Sequence, residues 1–201
     1  MRNFLISIMS TTMIIPAAAA AAAAAAPVSV TVNGPDGRPL VDAVVTLDVP
    51  GTPPPVPRGS YAMAQRNVAF APHVLIVPVG ATVSFPNQDR VRHHVYSFSS
   101  AKKFDLKLYG RDETKSVSFA KPGIVALGCN IHDMMSGFVF VTATPFAAVS
   151  DREGRVTIDG VPPGQVTLSI WHPSIRASGN SLSQAKSVAA TGLSTVVSIS
   201  R

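Results

Sequence analysis

The chain is short of cysteine. It has one, Cys129, in 201 residues, which excludes a disulfide framework within the chain. It is short of acid as well: 11 Asp and Glu stand against 17 Lys and Arg, a net charge of +6. The positive residues are scattered rather than gathered into a stripe, so nucleic-acid binding is set aside. Long helical periodicity is absent, and so is a glycine-rich loop of the kind that cradles phosphate. After the first 26 residues no run is long and apolar enough to span a membrane. What remains is rich in Val, Ser, Thr, Pro and Gly, the composition of short strands joined by tight turns.

The start of the chain differs from the rest. Arg2 precedes an apolar stretch from Phe4 to Ile15, then Pro16 and an alanine run, Ala17–Ala26. A positive end, an apolar centre and small residues at the cut are the features of a secretory signal peptide, expected over residues 1–26. An uncleaved anchor is the rival reading, disfavoured by Pro16 and the featureless alanines. Cleavage leaves about 175 residues, enough for one large domain or two small ones. Export sharpens the question of Cys129. In an oxidising compartment cysteines pair, and a lone one is a buried spare, a reactive thiol, an intermolecular bridge or a metal ligand.

Alternating segments mark strands. "VSVTV" (28–32) and "AVVTLDV" (43–49) flank the turn "GPDGRPL", after which "PGTPPPVPRG" (50–59) interrupts all regularity. Seven segments follow: 73–80, 81–85, 93–99, 103–110, 115–120, 123–129 and 137–143. Beyond Pro145 come 146–150, 155–160, 165–171 and 194–200, with the polar stretch after Pro173 read as a loop. Two strands before the proline run are too few to bury a core. Joined to the last four, they make a sandwich of residues 27–49 plus 146–201, interrupted by a second sandwich over 66–145, with 50–65 as a Pro-rich linker. The fold class expected is all-β. A single large sandwich is the simpler alternative.

The chemistry gathers in "GCNIHDMMSG" (128–137). Cys129, His132 and Met135 are spaced three apart, bracketed by Gly128 and Gly137, between one strand that enters and one that leaves. Thiolate, imidazole and thioether together form a soft donor set that favours copper over zinc. A trigonal site with two histidines, a cysteine and a weak axial methionine needs one more histidine. "FPNQDRVRHHVYSFS" (85–99) offers His93 and His94, which alternation sends to opposite faces of a strand.

These two stretches, in this order, resemble the ligand motifs of the plastocyanin and amicyanin branch of the cupredoxins. In that family an Asn stands six residues before the first ligand histidine, as Asn87 stands before His93. The second motif is Cys, two residues, His, two residues, Met, here Cys129, His132 and Met135. The resemblance covers residues 66–145. It implies a Greek-key β-sandwich, one type 1 copper held by His93, Cys129, His132 and Met135, no enzymatic activity, and single-electron transfer in the periplasm. The departures are Arg92 where the family has Pro, His94 where it has Asn, and Asn130 and Ile131 after the cysteine. His94 and Asn130 are expected to bridge the two ligand loops. The flanks, "VSVTVNGPDGRPLVDAVVTLDV" and "FAAVSDREGRVTIDGVPPGQVTLSIWHP", resemble a carboxypeptidase-regulatory-like, transthyretin-like sandwich. The combination is similar to exported bacterial proteins labelled methylamine utilization proteins.

Plainer readings stand beside these. A lone cysteine is often a small core hydrophobe. Met134 is expected to fill a gap, His73 and His172 to be structural or surface residues, and Trp171 to pack the flanking sandwich. Lys102, Lys103, Lys107 and Arg111 form a solvated face or a patch where a partner docks. A Cys129–His132 nucleophile has no oxyanion-hole loop to serve it. The modest positive field suits an acidic partner, a redox protein, dehydrogenase or cytochrome. Copper storage or delivery without redox turnover, and a structural sandwich with a degenerate site, are the alternative functions.

Overall fold

The computed structural model describes residues 25–200, and all but one of its regular elements are strands, the exception being a single 3-10 turn at Ser178–Asn180. The predicted leader falls on residues outside that range except for Ala25 and Ala26, and Ala26 already opens the first strand, buried. Among the described residues no helix is long and apolar enough to cross a membrane.

The first and last strands among the described residues build one sandwich. Ala26–Asn33 lies at the centre of a three-stranded sheet, antiparallel to Arg155–Val161 and parallel to Leu193–Ser198. The facing sheet runs Ala147–Val149, Val44–Asp48, Gly164–Trp171, Ser181–Val188. Period-two alternation turns Val28, Val30 and Val32 inward against Leu47, Leu168 and Ile170. Each such side chain contributes about 1.5–3 kcal/mol when fully buried.

Ser181–Val188 lies where a loop was predicted. Its Ser, Gln and Lys residues sit on the outer edge of a sheet, paired on one side only with Gly164–Trp171. Polarity there reports exposure, not the absence of a strand.

Between Asp48 and Ala147 the chain builds a second all-β unit. Its larger sheet runs Val74–Pro78, Ser136–Thr142, Gly123–Cys129, His93–Ser99, Lys102–Tyr109. Facing it are Thr114–Ser118, Thr82–Pro86 and Tyr61–Ala62. Val83, Phe85, Val95, Val125, Leu127, Val139 and Val141 fill the space between. Residues 61–65, assigned by composition to the linker, belong to this unit. Tyr61 pairs with Val83, and Met63 and Gln65 are fully buried. The proline run proper ends at Pro57, and residues 52–60 hold no strand.

The outer face of the five-stranded sheet meets the flanking sandwich. Trp171 stacks edge-on against Phe138 at 5.1 Å and Phe140 at 6.1 Å, with Val44 and Val74 beside it. Trp171 was expected inside the flanking sandwich. Alternation forbids that: Ile170 points into that core, so its neighbour points out, across the seam.

Candidate metal centre

Two adjacent strands bring the first donors together. Cys129 is the last residue of its strand and pairs with Val95, so its side chain shares the inner face with Val95 and with His93, two residues earlier. His93 is fully buried and Cys129 is 3% exposed. The chain then turns back at once. The Met135 N–H donates to the His132 carbonyl at 2.8 Å, and this tight turn swings the His132 ring over the strand ends. Cys129 Sγ lies 3.8 Å from His93 Nδ1 and 3.6 Å from His132 Nδ1. The two rings are 4.9 Å apart between centroids, tilted by 55°. His93, Cys129 and His132 form the one such convergent group of potential metal ligands found among the described residues.

The orientation of His93 is imposed from behind. Its Nε2–H donates to Asp89 Oδ2 at 2.8 Å, which leaves Nδ1, directed at the sulfur, as the lone-pair nitrogen. Asp89 is itself held by the backbone N–H groups of Asn67 at 2.7 Å and Val68 at 2.9 Å. Burial works to raise the Asp89 carboxyl, but the hydrogen bonds from Val68, His93 and Asn67 outweigh it, and the group sits below its ordinary value as an anion. Asn67 and Val68 both have φ of +57°, and a left-handed β-branched residue costs about 1–3 kcal/mol. The carboxylate offsets that strain by taking both amides. Asn87, 1% exposed, closes the loop. Its Nδ2 donates to the carbonyls of Val91 and Tyr109 at 2.9 and 3.3 Å, and its Oδ1 accepts from the Asp89 N–H at 2.9 Å.

A buried Tyr109–Gln65 pair braces the same region. The Tyr109 hydroxyl contacts Gln65 Oε1 at 2.5 Å and the Phe85 carbonyl at 2.9 Å. Burial pushes this hydroxyl above its ordinary range despite the opposing bond to Gln65, so it stays a neutral donor.

The remaining predicted residues are placed as follows. Met135 is 3% exposed and shares the hydrophobic cluster of Cys129, whereas Met134 is 95% exposed. His94 points to the outer face, bonded to the Asp105 carboxylate, which also takes Lys107. First Lys107 and then His94 hold the Asp105 carboxyl far below the usual range. The expected bridge between His94 and Asn130 is therefore absent: Asn130 is exposed, and no hydrogen bond among the described residues joins them. Alternation sends His94 away from the ligand loops, and Asp105 retains it there. His73 and His172 lie at the seam between the units. His73 Nδ1 is 2.9 Å from Asp42 Oδ2, and His172 Nδ1 is 2.6 Å from Ser174 Oγ.

Asp89 was not singled out from the sequence. The available signal was its place four residues before His93, inside the motif already quoted. Its amide donors come from Asn67 and Val68, about twenty residues upstream, and carried no signal of their own.

The donor set suits a metal. Metal–nitrogen and metal–sulfur bonds of about 2.0–2.3 Å at open angles put their outer atoms roughly 3.6 Å apart. That matches the separations of Cys129 Sγ from both histidine nitrogens, which are long for hydrogen bonds. Thiolate with two imidazoles, beside a buried thioether, is a soft set.

No known protein-family profile matches this chain, and no curated protein sequence matches it. Solved structures do. A copper-containing nitrite reductase from Thermus scotoductus SA-01 is similar at 27% identity over 46% of this chain, with a TM-score of 0.41; this chain spans only 26% of that one. A purple cupredoxin from Nitrosopumilus maritimus is similar at 22% identity over 41% of this chain and 100% of its own, with a TM-score of 0.38. A mutant of amicyanin in its reduced Cu(I) form is similar at 21% identity over 48% of this chain and 99% of its own, with a TM-score of 0.40.

Proposed function

We propose that this chain holds one type 1 copper ion with His93, Cys129, His132 and Met135, and passes single electrons between protein partners in the periplasm. The observation that carries this reading is the convergence of one thiol and two imidazole Nδ1 atoms at 3.6 and 3.8 Å, in a chain with no second thiol. In this reading the holding unit, residues 66–145 with 61–65 added, is inserted into a flanking sandwich of residues 27–49 plus 146–201.

Copper, when bound, supplies a one-electron couple. The chain supplies everything else. Asp89 orients His93 and keeps its Nδ1 free for the metal. Two strand ends and one tight turn fix the donors, so little needs to move when the charge at the site changes. The buried setting of Cys129 keeps water and oxidants from the sulfur. His132 is the half-exposed donor, which makes its ring the natural exit for an electron. Around it the supporting loops leave Val68, Val91, Ile131 and Met134 exposed, with Arg66, Arg90 and Arg92 on the same loops. An apolar end edged with positive charge supports docking of an acidic redox protein, a dehydrogenase or a cytochrome.

A second reading is copper delivery without redox turnover. The exposed thioether of Met134, two residues from His132, favours it as a soft first contact for Cu(I). Voltammetry of the copper-loaded protein separates the two. Electron transfer requires a reversible one-electron wave and retention of copper against a competing chelator. An irreversible wave with ready loss of copper would favour delivery.

A further inference from the structure

The proline run between the two sandwiches is a seated rod, not a free linker. Proline fixes its own φ at about −65° and drives the residue before it to extended or polyproline II geometry. Thr52, Pro53, Pro54 and Val56 each precede a proline, so the conformation of 52–57 is set by the covalent chain.

Burial follows the period of that conformation. Polyproline II turns once in three residues, and Thr52 and Pro55, three apart, are the half-buried members of the run. Pro55 lines a cavity together with Tyr61, Ile76, Pro78 and Thr142. Both ends are pinned. The Thr52 N–H donates to the Val49 carbonyl at 3.1 Å, and the Arg58 N–H donates to the Tyr61 hydroxyl at 3.2 Å. Two outward edges remain, Pro53 with Val56 and Pro54 with Pro57, all four exposed. At about 3.1 Å per residue, 52–58 extends roughly 20 Å.

What the rod turns outward is unused by the rest of the chain. Val56 is 71% exposed between two prolines. No carbonyl from Thr52 to Arg58 accepts a hydrogen bond among the described residues. Arg58 closes the run, exposed, and enters no ion pair among the described residues. Apolar edges, free carbonyls in a regular row and one terminal guanidinium are complementary to a single kind of surface. That surface is a groove lined by aromatic rings, with donors for the carbonyls and a carboxylate at one end.

We infer that residues 52–58 are a docking segment for a protein domain with such an aromatic, acid-ended groove. Because the rod is already fixed at both ends, binding loses little chain entropy. Its place in the fold adds a consequence. Ser136–Thr142 leaves the ligand loop at Ser136 and ends at Thr142, beside Pro78, and Pro55 rests against that far end. A partner on the rod therefore sits at the pole opposite Cys129 and His132. It would hold the protein in an assembly and leave the ligand-loop end free. The inference does not depend on the metal.

The test titrates the full mature protein, copper-loaded and carbon-13-labelled for NMR, with a recombinant SH3 domain whose aromatic groove is bordered by carboxylates. The expected result is saturable one-to-one binding with its largest carbon shifts within residues 53–58. Pro54→Ala and Pro57→Ala should each weaken that binding about tenfold, and Arg58→Gln about fivefold, with the visible copper band unmoved. All three side chains are exposed, so folding is not at risk. The same domain with alanines in place of its groove aromatics should not bind. Four results would each overturn the inference: no saturable binding, shifts confined to Ile131 and Met134, affinity unchanged in both proline variants, or equal binding by the alanine-lined groove. The last would reduce the contact to charge alone.

Discussion

The two sandwiches share a strand vocabulary and differ in what they bury. The apolar core of the flanking unit is Ala, Val, Leu and Ile, and Ser150, bonded to Leu40 and Ala43, is its one buried polar residue among those described. The core of the middle unit holds Met63, Tyr109, Cys129 and Met135 among its apolar residues, and Gln65, Asn87, His93 and Ser97 are buried with it. Buried polar groups cost stability unless each finds a partner. Here they do: no buried side-chain nitrogen or oxygen lacks one among the described residues. One unit therefore reads almost wholly as packing, with a single buried hydroxyl. The other spends part of its interior on a hydrogen-bonded frame around three donors, as expected where a fold gives up local stability to hold a site.

That contrast can be broken by substitution. Cys129→Ser should have the largest effect on function, removing the visible copper band entirely while leaving the circular dichroism of the fold intact. A band that persists would remove the thiol from the account. Leu168→Ala, in the flanking core, should cost about 2–5 kcal/mol in denaturant unfolding and leave the band where it was. A shifted band would mean that the flanking unit shapes the site as well as bracing it. Asp89→Asn keeps the size of the side chain but not its charge, and should lower copper affinity by about 10–100-fold in a chelator competition. An unchanged affinity would show that Asp89 serves only the strained turn at Asn67 and Val68.

The smallest effect concerns pH and lies at the seam. Burial lowers the His172 pKa, with Asp42 opposing and His73 adding to the shift. The folded protein thus holds fewer protons there than the unfolded chain. Its contribution to stability is complete above the unfolded value of about 6.5 and declines as pH falls through it. His172→Gln should flatten the fall in stability between roughly pH 7 and pH 5. A slope equal to that of the parent protein would place the titration elsewhere.

Much of the fold was legible because alternation is a local property. Val28, Val30 and Val32 announce a buried face without any tertiary knowledge. Ser181–Val188 was not legible, because an edge strand exposed to water looks like a loop. Met63 and Gln65 were obscured by the prolines just before them. At the site, the spacing of Cys129, His132 and Met135 was readable because one turn joins them; alternation gave only that His93 and His94 face opposite ways, and the choice of His93 rested on its spacing from Asn87. The direction of the ring nitrogens was not readable. It depends on Asp89, and Asp89 depends on two left-handed residues distant in sequence. Nor was the partner of His94, which required a bulge in the ladder to bring Asp105 opposite Tyr96.

The central claim is that His93, and not its neighbour, joins Cys129 and His132 around one copper ion. Titration of Cu(II) into the mature protein, into His93→Ala and into His94→Ala, followed by visible absorption, tests it most directly. The account predicts an intense thiolate-to-copper band that saturates at one equivalent in the parent and in His94→Ala and is lost in His93→Ala. A parent protein that stays colourless, or a band abolished only by His94→Ala, would contradict it.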